Sequence, residues 1–350
     1  MRKKGEHLTW NDRLVIERML LKGHSKKMIA EAIGCCPATI YNEIKRATYL
    51  HRNSDLTEET RYCPDQAEEK YRAALSRKGV TPKLKKDKAL REHIEHKIVE
   101  ESYSPAAVLM EIKNQNLKFS ESVTVNTVYK GIEKGLFPNL TLEQLPDANR
   151  RRKKKKKKKV TKAKKASKGT SIEKRPDVVD DREEFGHWEM DSVIGKQTNR
   201  KSILALTERK TRYEIIEVLK ADTTDEVRKA INRIEKRMGA AFYNVFQTIT
   251  VDNGSEFADF ESMEKALYRK GKRTSVYYCH PHAPHERGSN EVANKMIRRF
   301  FPKGMDFDKE LEKKNAKEAE DWINNYPRKC LGGKTAAQCY QEELLRQGYG

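Results

Sequence analysis

The side chains in this sequence best placed to do chemistry are carboxylates in and just upstream of residues 248–303. Ile249-Thr250-Val251-Asp252-Asn253-Gly254 is apolar and β-branched, then breaks into a turn. It reads as a buried strand with Asp252 at its C-terminal end. Further on, Glu291 falls in the first turn of a helix that Ser289 or Asn290 is placed to cap. Upstream, Phe185–Gly195 reads as another strand with Asp191 near its centre. Oxygen ligands from separate elements suit a hard cation such as Mg2+. Three of them can hold two ions that clamp the attacking and leaving oxygens of a phosphodiester displacement. The chain has 52 acids, so residue type alone does not single out this trio.

Nearby groups could take part. Glu189 is two residues before Asp191 and shares its sheet face, where it could line the site or bond a neighbouring backbone group. Glu256 is in the turn after Asp252 and is expected to orient it. His280, His282 and His285 cluster with Pro281 and Pro284; they could touch phosphate, shuttle protons or simply be exposed. Arg287, Asn294, Lys295 and Arg298 lie at the helix start or along it and could meet a DNA backbone.

The elements needed to position these groups can be read in outline. Ser202–Thr207 and Tyr213–Leu219 read as strands joined by a turn at Glu208-Arg209-Lys210-Thr211. Thr224 is expected to cap a helix over Asp225–Met238. A strand over Asn244–Asp252, a helix over Phe257–Arg269, a strand over Thr274–Tyr278 and a helix over Glu291–Phe301 follow. The block 181–326 is thus expected to be one catalytic domain. Amphipathic helices over Leu311–Tyr326 and Thr335–Gln347 come next, the latter in a C-terminal tail, 327–350, that packs on the core or joins a second subunit.

Upstream the chain reads as helical modules. In 1–50, Thr9 and Ser25 can cap helices, Gly34 makes a turn, and Pro37 opens a third helix. Ala30, Gly34 and Ile40 stand at helix-turn-helix spacing. The third helix would present Thr39, Tyr41, Asn42 and Lys45 to a major groove, with Arg46 near phosphate. A polar helical connector is expected over 51–87. A second, helix-turn-helix-like module is expected over 88–139. There Asn126 caps the last helix, and Asn126, Thr127 and Lys130 are the candidate DNA contacts. A basic flexible linker is expected over 140–180.

The motifs Gly186-His187-Trp188-Glu189-x-Asp191, Thr250-Val251-Asp252-Asn253-Gly254-x-Glu256-Phe257, Arg287-Gly288-Ser289-Asn290-Glu291-x-x-Asn294-x-x-Ile297-Arg298 and Phe301-Pro302-Lys303-Gly304-x-Asp306-Phe307 occur in that order. They resemble the DDE transposases of bacterial insertion sequences, specifically the IS-thirty family within the retroviral-integrase superfamily. The likeness runs from about Leu8 to about Tyr340. It implies an α+β multidomain chain in which helix-turn-helix modules precede a ribonuclease-H-like mixed-sheet domain. It implies that Asp191, Asp252 and Glu291 are the catalytic, metal-binding triad, holding two Mg2+ ions for which Mn2+ substitutes. It also implies binding of terminal inverted repeats, 3′-end cleavage, strand transfer into target DNA, and at least a dimer to join two ends. The Asp252–Glu291 gap is longer than the common family spacing, which leaves Glu286 as a rival third acid.

Charge and cysteine usage agree with that class of partner. The net charge is +21, and a basic chain favours polyanions. Residues 150–168 carry three Arg and eleven Lys with no acid, so most of the excess lies in one run. Such a run is expected to stay extended and solvated, and can still neutralise phosphates. Six cysteines without a C-x-x-C pair fit free thiols in a reducing compartment. No apolar leader opens the sequence and no run reaches membrane-spanning length, so a cytoplasmic, nucleoid-associated protein is expected. Two other functions share these features: a DNA-binding regulator with an inactive nuclease-like domain, and a nuclease that cuts without strand transfer.

Overall fold

The structure is a computed structural model and describes residues 6–78, 80–146, 169–281 and 283–349. The basic run 150–168 and His282 lie outside the described residues, as do the side chains of Pro284 and His285. The chain separates into two compact units, Met1–Pro82 and Lys83–Gly350.

The first unit opens with α1 (Trp10–Leu21), α2 (Lys26–Ile33) and α3 (Pro37–Arg46). Thr9 closes a capping box with Asp12, and the Ser25 side chain caps α2. Gly34 ends α2 with φ +77°, a left-handed turn that a β-carbon would strain. Ala30 and Ile40 are fully buried where α2 and α3 cross. The stretch expected as a helical connector is different. It forms a hairpin, β1 (Thr48–Arg52) and β2 (Glu58–Tyr62), and then α4 (Pro64–Ser76). Tyr62 and Ala67 share one core with Ile16, Ile29 and Ile40, so this stretch completes the first unit. Its mixed polar residues hid the hairpin because both strands are almost wholly exposed, Tyr62 alone being buried, so no apolar alternation marks them.

The second unit begins with α5 (Lys83–Lys86), α6 (Lys88–Val99), α7 (Pro105–Asn114) and α8 (Val125–Glu133). The cap of α8 is Thr124, so Asn126, expected as the cap, lies inside the first turn. After the undescribed run come β3 (Thr170–Ser171) and α9 (Val178–Asp181). The catalytic block follows as β4 (His187–Ile194), β5 (Ser202–Glu208), β6 (Glu214–Leu219), α10 (Thr224–Met238), α11 (Phe242–Val245), β7 (Thr248–Val251), α12 (Phe260–Glu264) and β8 (Ser275–Tyr278). It closes with α13 (Gly288–Phe300), α14 (Phe307–Glu310), α15 (Lys313–Asn325) and α16 (Ala336–Arg346). The strand expected over Asn244–Asp252 is shortened by α11, and the helix expected over Phe257–Arg269 shrinks to α12 and turns.

Among the described residues six strands form one sheet in the order β3-β8-β7-β4-β5-β6. The pairs β4–β5 and β5–β6 are antiparallel, whereas β4–β7 and β7–β8 are parallel. Three antiparallel strands whose first member also pairs with a later parallel strand is the ribonuclease-H-like arrangement anticipated from the sequence. The expected linker is shorter than 140–180, because β3 joins the sheet edge beside β8. Arg175, also expected in that linker, is buried and donates to Thr250 Oγ1 at 2.9 Å.

Alternation along the strands sorts the sheet into two faces. Trp188, Met190, Leu204, Leu206, Ile249 and Val251 pack into one core with α10 and α11. Val193, Ile203, Ala205 and Ile216 belong to the other, together with α13 and α15. Glu189 and Asp191 therefore belong on the α13 side. The tail is part of the domain: Tyr340 of α16 stacks on Tyr213 at 4.0 Å and joins the first core. The outer edge of β6 is closed by α15. Asn324 bonds the backbone N–H and C=O of Glu214, each at 2.8 Å, and Glu320 accepts from the Ile216 N–H at 2.7 Å.

Candidate active site

Strand register brings two of the acids together. Glu189 of β4 lies beside Thr250 of the parallel β7, so Asp191 and Asp252, two residues further on, are neighbours. Gly186 starts this arrangement. At φ +103° its backbone turns into β4, its N–H donates to Glu208 Oε1, and its carbonyl accepts from the Gln247 N–H.

One guanidinium bridges the two carboxylates. Arg287 Nη1 donates to Asp191 Oδ1 at 2.9 Å and to the Met190 carbonyl at 3.2 Å, and its Nη2 donates to Asp252 Oδ2 at 3.2 Å. Burial works to lower the Arg287 pKa, but the Asp191 and Asp252 charges outweigh it and raise it. The remaining oxygens are also used. Asn294 Nδ2 donates to Asp191 Oδ2 at 2.6 Å, and the Gly254 N–H donates to Asp252 Oδ1 at 2.8 Å. The other end of the Asn294 amide, Oδ1, is buried and has no hydrogen-bond partner among the described residues.

The helix α13 carries the third acid. Its start differs from expectation. Arg287 occupies the cap position without a side-chain cap bond, and Ser289 and Asn290 lie inside the helix. Both are buried. Ser289 Oγ accepts from Arg212 at 2.6 Å, and the Asn290 N–H donates to Glu189 Oε2 at 2.9 Å. Arg287, Glu291, Asn294, Lys295 and Arg298 fall on one helical stripe. Glu291 is paired with Lys295 at 2.7 Å. Asp191, Glu291 and Asn294 line one cleft of about 800 Å³ together with Lys295, Arg299 and Lys303. Asp252 is not among its lining residues.

The two alternative acids are placed elsewhere. Glu189 is fully buried, with one oxygen on Arg209 at 2.7 Å and the other on the Asn290 N–H, so it anchors α13 to β4. Glu286 accepts from the His280 N–H at 2.9 Å and pairs with His280 Nδ1 at 2.7 Å. That pairing raises the His280 pKa; burial works to raise that of Glu286, but the His280 bonds outweigh it and lower it. The other DNA-contact candidates of α13 differ in availability. Arg298 donates to the carbonyls of Phe301 and Ile194 and so ties the helix to the end of β4. Lys295 is half exposed at the cleft.

Arg209 and Arg212 were not anticipated. In the sequence they sit in a polar turn, yet Arg209 is buried and links Glu189, Asp180 and the Val179 carbonyl. Nothing local marks them, since their partners come from distant segments.

A divalent ion fits part of this arrangement. The donor set is hard oxygen, and two carboxylates already converge on one cationic group, with an unpartnered amide oxygen alongside. Among the described residues no three His, Cys, Asp or Glu side chains are grouped as a metal cluster, and Glu291 is paired with Lys295.

In the first unit, Tyr41, Asn42 and Lys45 lie exposed on α3. Thr39 is half-buried and contacts Cys36 Sγ, and Arg46 is paired with Glu43. On α8, Asn126 and Lys130 are exposed, while Thr127 bonds Thr124. No disulfide joins the cysteines, and no helix is long and apolar enough to cross a membrane, among the described residues.

Comparison with known proteins agrees with this architecture. A helix-turn-helix domain family matches residues 4–47. The transposase for insertion sequence element IS4351 of Bacteroides fragilis is 31% identical over 96% of this chain and 96% of its own length. Transposase InsI for insertion sequence element IS30A of Escherichia coli (strain K12) is 26% identical, covering 98% of this chain and 84% of that protein. Among solved structures, the catalytic core domain of BIV integrase covers 47% of this chain and 99% of that chain, at 18% identity and a TM-score of 0.36. With end-to-end similarity to enzymes that move insertion sequences, a helix-turn-helix at its N-terminus and a ribonuclease-H-like sheet order, the chain belongs to the IS30-like DDE transposases and is a DNA transposase.

Proposed function

We propose that this transposase recognises the terminal inverted repeats of its own element, cuts one strand at the 3′ end, and joins the freed end to target DNA. The carrying observation is the meeting of Asp191 and Asp252 on one cation beside the helix that bears Glu291. In this reading Asp191, Asp252 and Glu291 hold two Mg2+ ions, for which Mn2+ substitutes. Bound there, divalent ions polarise the attacked phosphate and stabilise the attacking and leaving oxygens. In the first step a water oxygen attacks phosphorus and the P–O3′ bond breaks, leaving a 3′-hydroxyl on the element. In the second, that hydroxyl attacks a target phosphorus and expels the target strand's 3′ oxygen.

The chain's own residues do the positioning. Glu189 and Arg209 fix the start of α13 against β4. Lys295, Arg299 and Lys303 give the cleft a positive wall for the DNA backbone, and Asn294 steadies Asp191. The exposed residues of α3 read the element end, with those of α8 as a second contact. Two ends must meet for strand transfer, so the working species is at least a dimer.

The test is a nicking assay on a duplex carrying the element end and its flank, with Mg2+ or Mn2+. Asp191→Asn, Asp252→Asn and Glu291→Gln are expected to bind the duplex and leave it uncut. Glu286→Gln is expected to cut. Loss of cutting in Glu286→Gln with activity retained in Glu291→Gln would move the third acid to Glu286. Binding by the wild type without any cutting would replace this reading with that of a regulator.

A further inference from the structure

We propose that Arg287 is a resident counter-cation, which holds Asp191 and Asp252 together when no divalent ion is bound and has to release both when one binds. This rests on the reading of these aspartates as metal ligands. Two carboxylates close enough to share one guanidinium repel each other unless a cation lies between them. The structure supplies one from the chain itself. The Arg287 side chain is 16% exposed and those of Asp191 and Asp252 are 20% and 41% exposed, so solvent screens this triad only partly.

The oxygens leave little alternative. Asp191 Oδ2 is committed to Asn294, and Asp252 Oδ1 to the Gly254 N–H of its own turn. The other two, Asp191 Oδ1 and Asp252 Oδ2, are those that Arg287 occupies. An ion shared by both aspartates therefore competes with the guanidinium for the same atoms. The guanidinium is well suited to hold the empty site, because its planar fork gives one nitrogen to each carboxylate. Its Nη1 also bonds the Met190 carbonyl, which anchors that end of the fork to β4.

The experiment measures ion binding and does not depend on DNA cleavage. Full-length wild type, Arg287→Met and Arg287→Lys are titrated with Mn2+ by calorimetry, and their unfolding temperatures are recorded with and without the ion. Asp191→Asn and Asp252→Asn serve as site controls. Without metal, Arg287→Met is expected to unfold at lower temperature than wild type. Its Mn2+ affinity is expected to rise by about tenfold, as when a competitor is removed. Its gain in unfolding temperature on adding Mn2+ should exceed that of wild type. Arg287→Lys, which keeps the charge but cannot fork, should fall between the two, and it tests the idea even if the Met variant does not fold. If binding depends on both aspartates but is equal or weaker in both Arg287 variants, the counter-cation role is overturned and the metal reading stands. If Mn2+ binding is absent, or survives loss of both aspartates, both ideas fall together.

Discussion

Glu214 is fully buried at the edge strand β6, where burial pushes its carboxyl up to about 8. The hydroxyl of Thr207, which donates to this carboxyl, works to lower its pKa, but burial outweighs it. Thr207 Oγ1 lies 2.7 Å from Glu214 Oε2 and 2.8 Å from Asn290 Oδ1. The folded state thus holds a proton that the unfolded chain releases near its ordinary 4.5. Stability is then highest below that value and is lost as pH rises toward 8, at up to ~1.4 kcal/mol per pH unit. Glu214→Gln should flatten this segment of the pH profile. Urea midpoints of both proteins at about pH 5 and about pH 8.5 check it, the expectation being a smaller drop for the Gln variant. Asn290 is the residue before Glu291, so this chain of bonds ends under the start of α13.

Helices α3 and α13 show how an element divides its faces between support and function. On α3, Ile40 and Glu43 are buried, and Glu43 meets the buried Arg13 at 2.6 Å. The opposite side leaves Tyr41, Asn42 and Lys45 exposed. If this side reads the element end, Lys45→Ala should weaken binding to all duplexes alike and lower the salt slope by about 1. Asn42→Ala should cost about 1–3 kcal/mol on the element end and reduce discrimination against mismatched duplexes. Binding measured across a salt series on matched and scrambled duplexes separates the two. On α13, Ala293, Met296 and Ile297 are buried on one side. The stripe from Arg287 to Arg298 faces the acids and the cleft.

At the scale of the whole chain, the second helical module is packed into the catalytic unit. Leu90, Ile94, Val108 and Val128 belong to the same core as Phe301, Phe307 and Ile323. Tyr103 packs against Trp322 and Tyr326, Trp322 Nε1 donates to the Glu101 carbonyl at 2.7 Å, and the Tyr326 hydroxyl bonds Ser104 Oγ at 2.9 Å. Arg299 of α13 stacks over both Trp322 and Tyr326 at 5.4 Å. A chain beginning at residue 169 would expose these aromatic groups and is expected to self-associate, whereas one beginning at Lys83 should remain well dispersed. Light scattering after gel filtration distinguishes them.

The sequence by itself determined the family, the succession of strands along the catalytic block, and the places of Asp191 and Asp252 each on its own strand; that the two meet was decided by the register of β4 and β7. Those features are local: period-two alternation, turn residues after apolar runs, and motifs a few residues long. It also marked the helix-turn-helix, since Ala30, Gly34 and Ile40 carry its geometry within one short stretch. Tertiary structure alone decided that Glu189 pairs with Arg209, that Glu286 goes to His280, and that Arg287 spans the two aspartates. It alone placed α16 and β3 in the catalytic unit. Each of these depends on partners far apart in the chain. A buried ion pair and an exposed one look the same in a sequence, because burial is set by what folds over them.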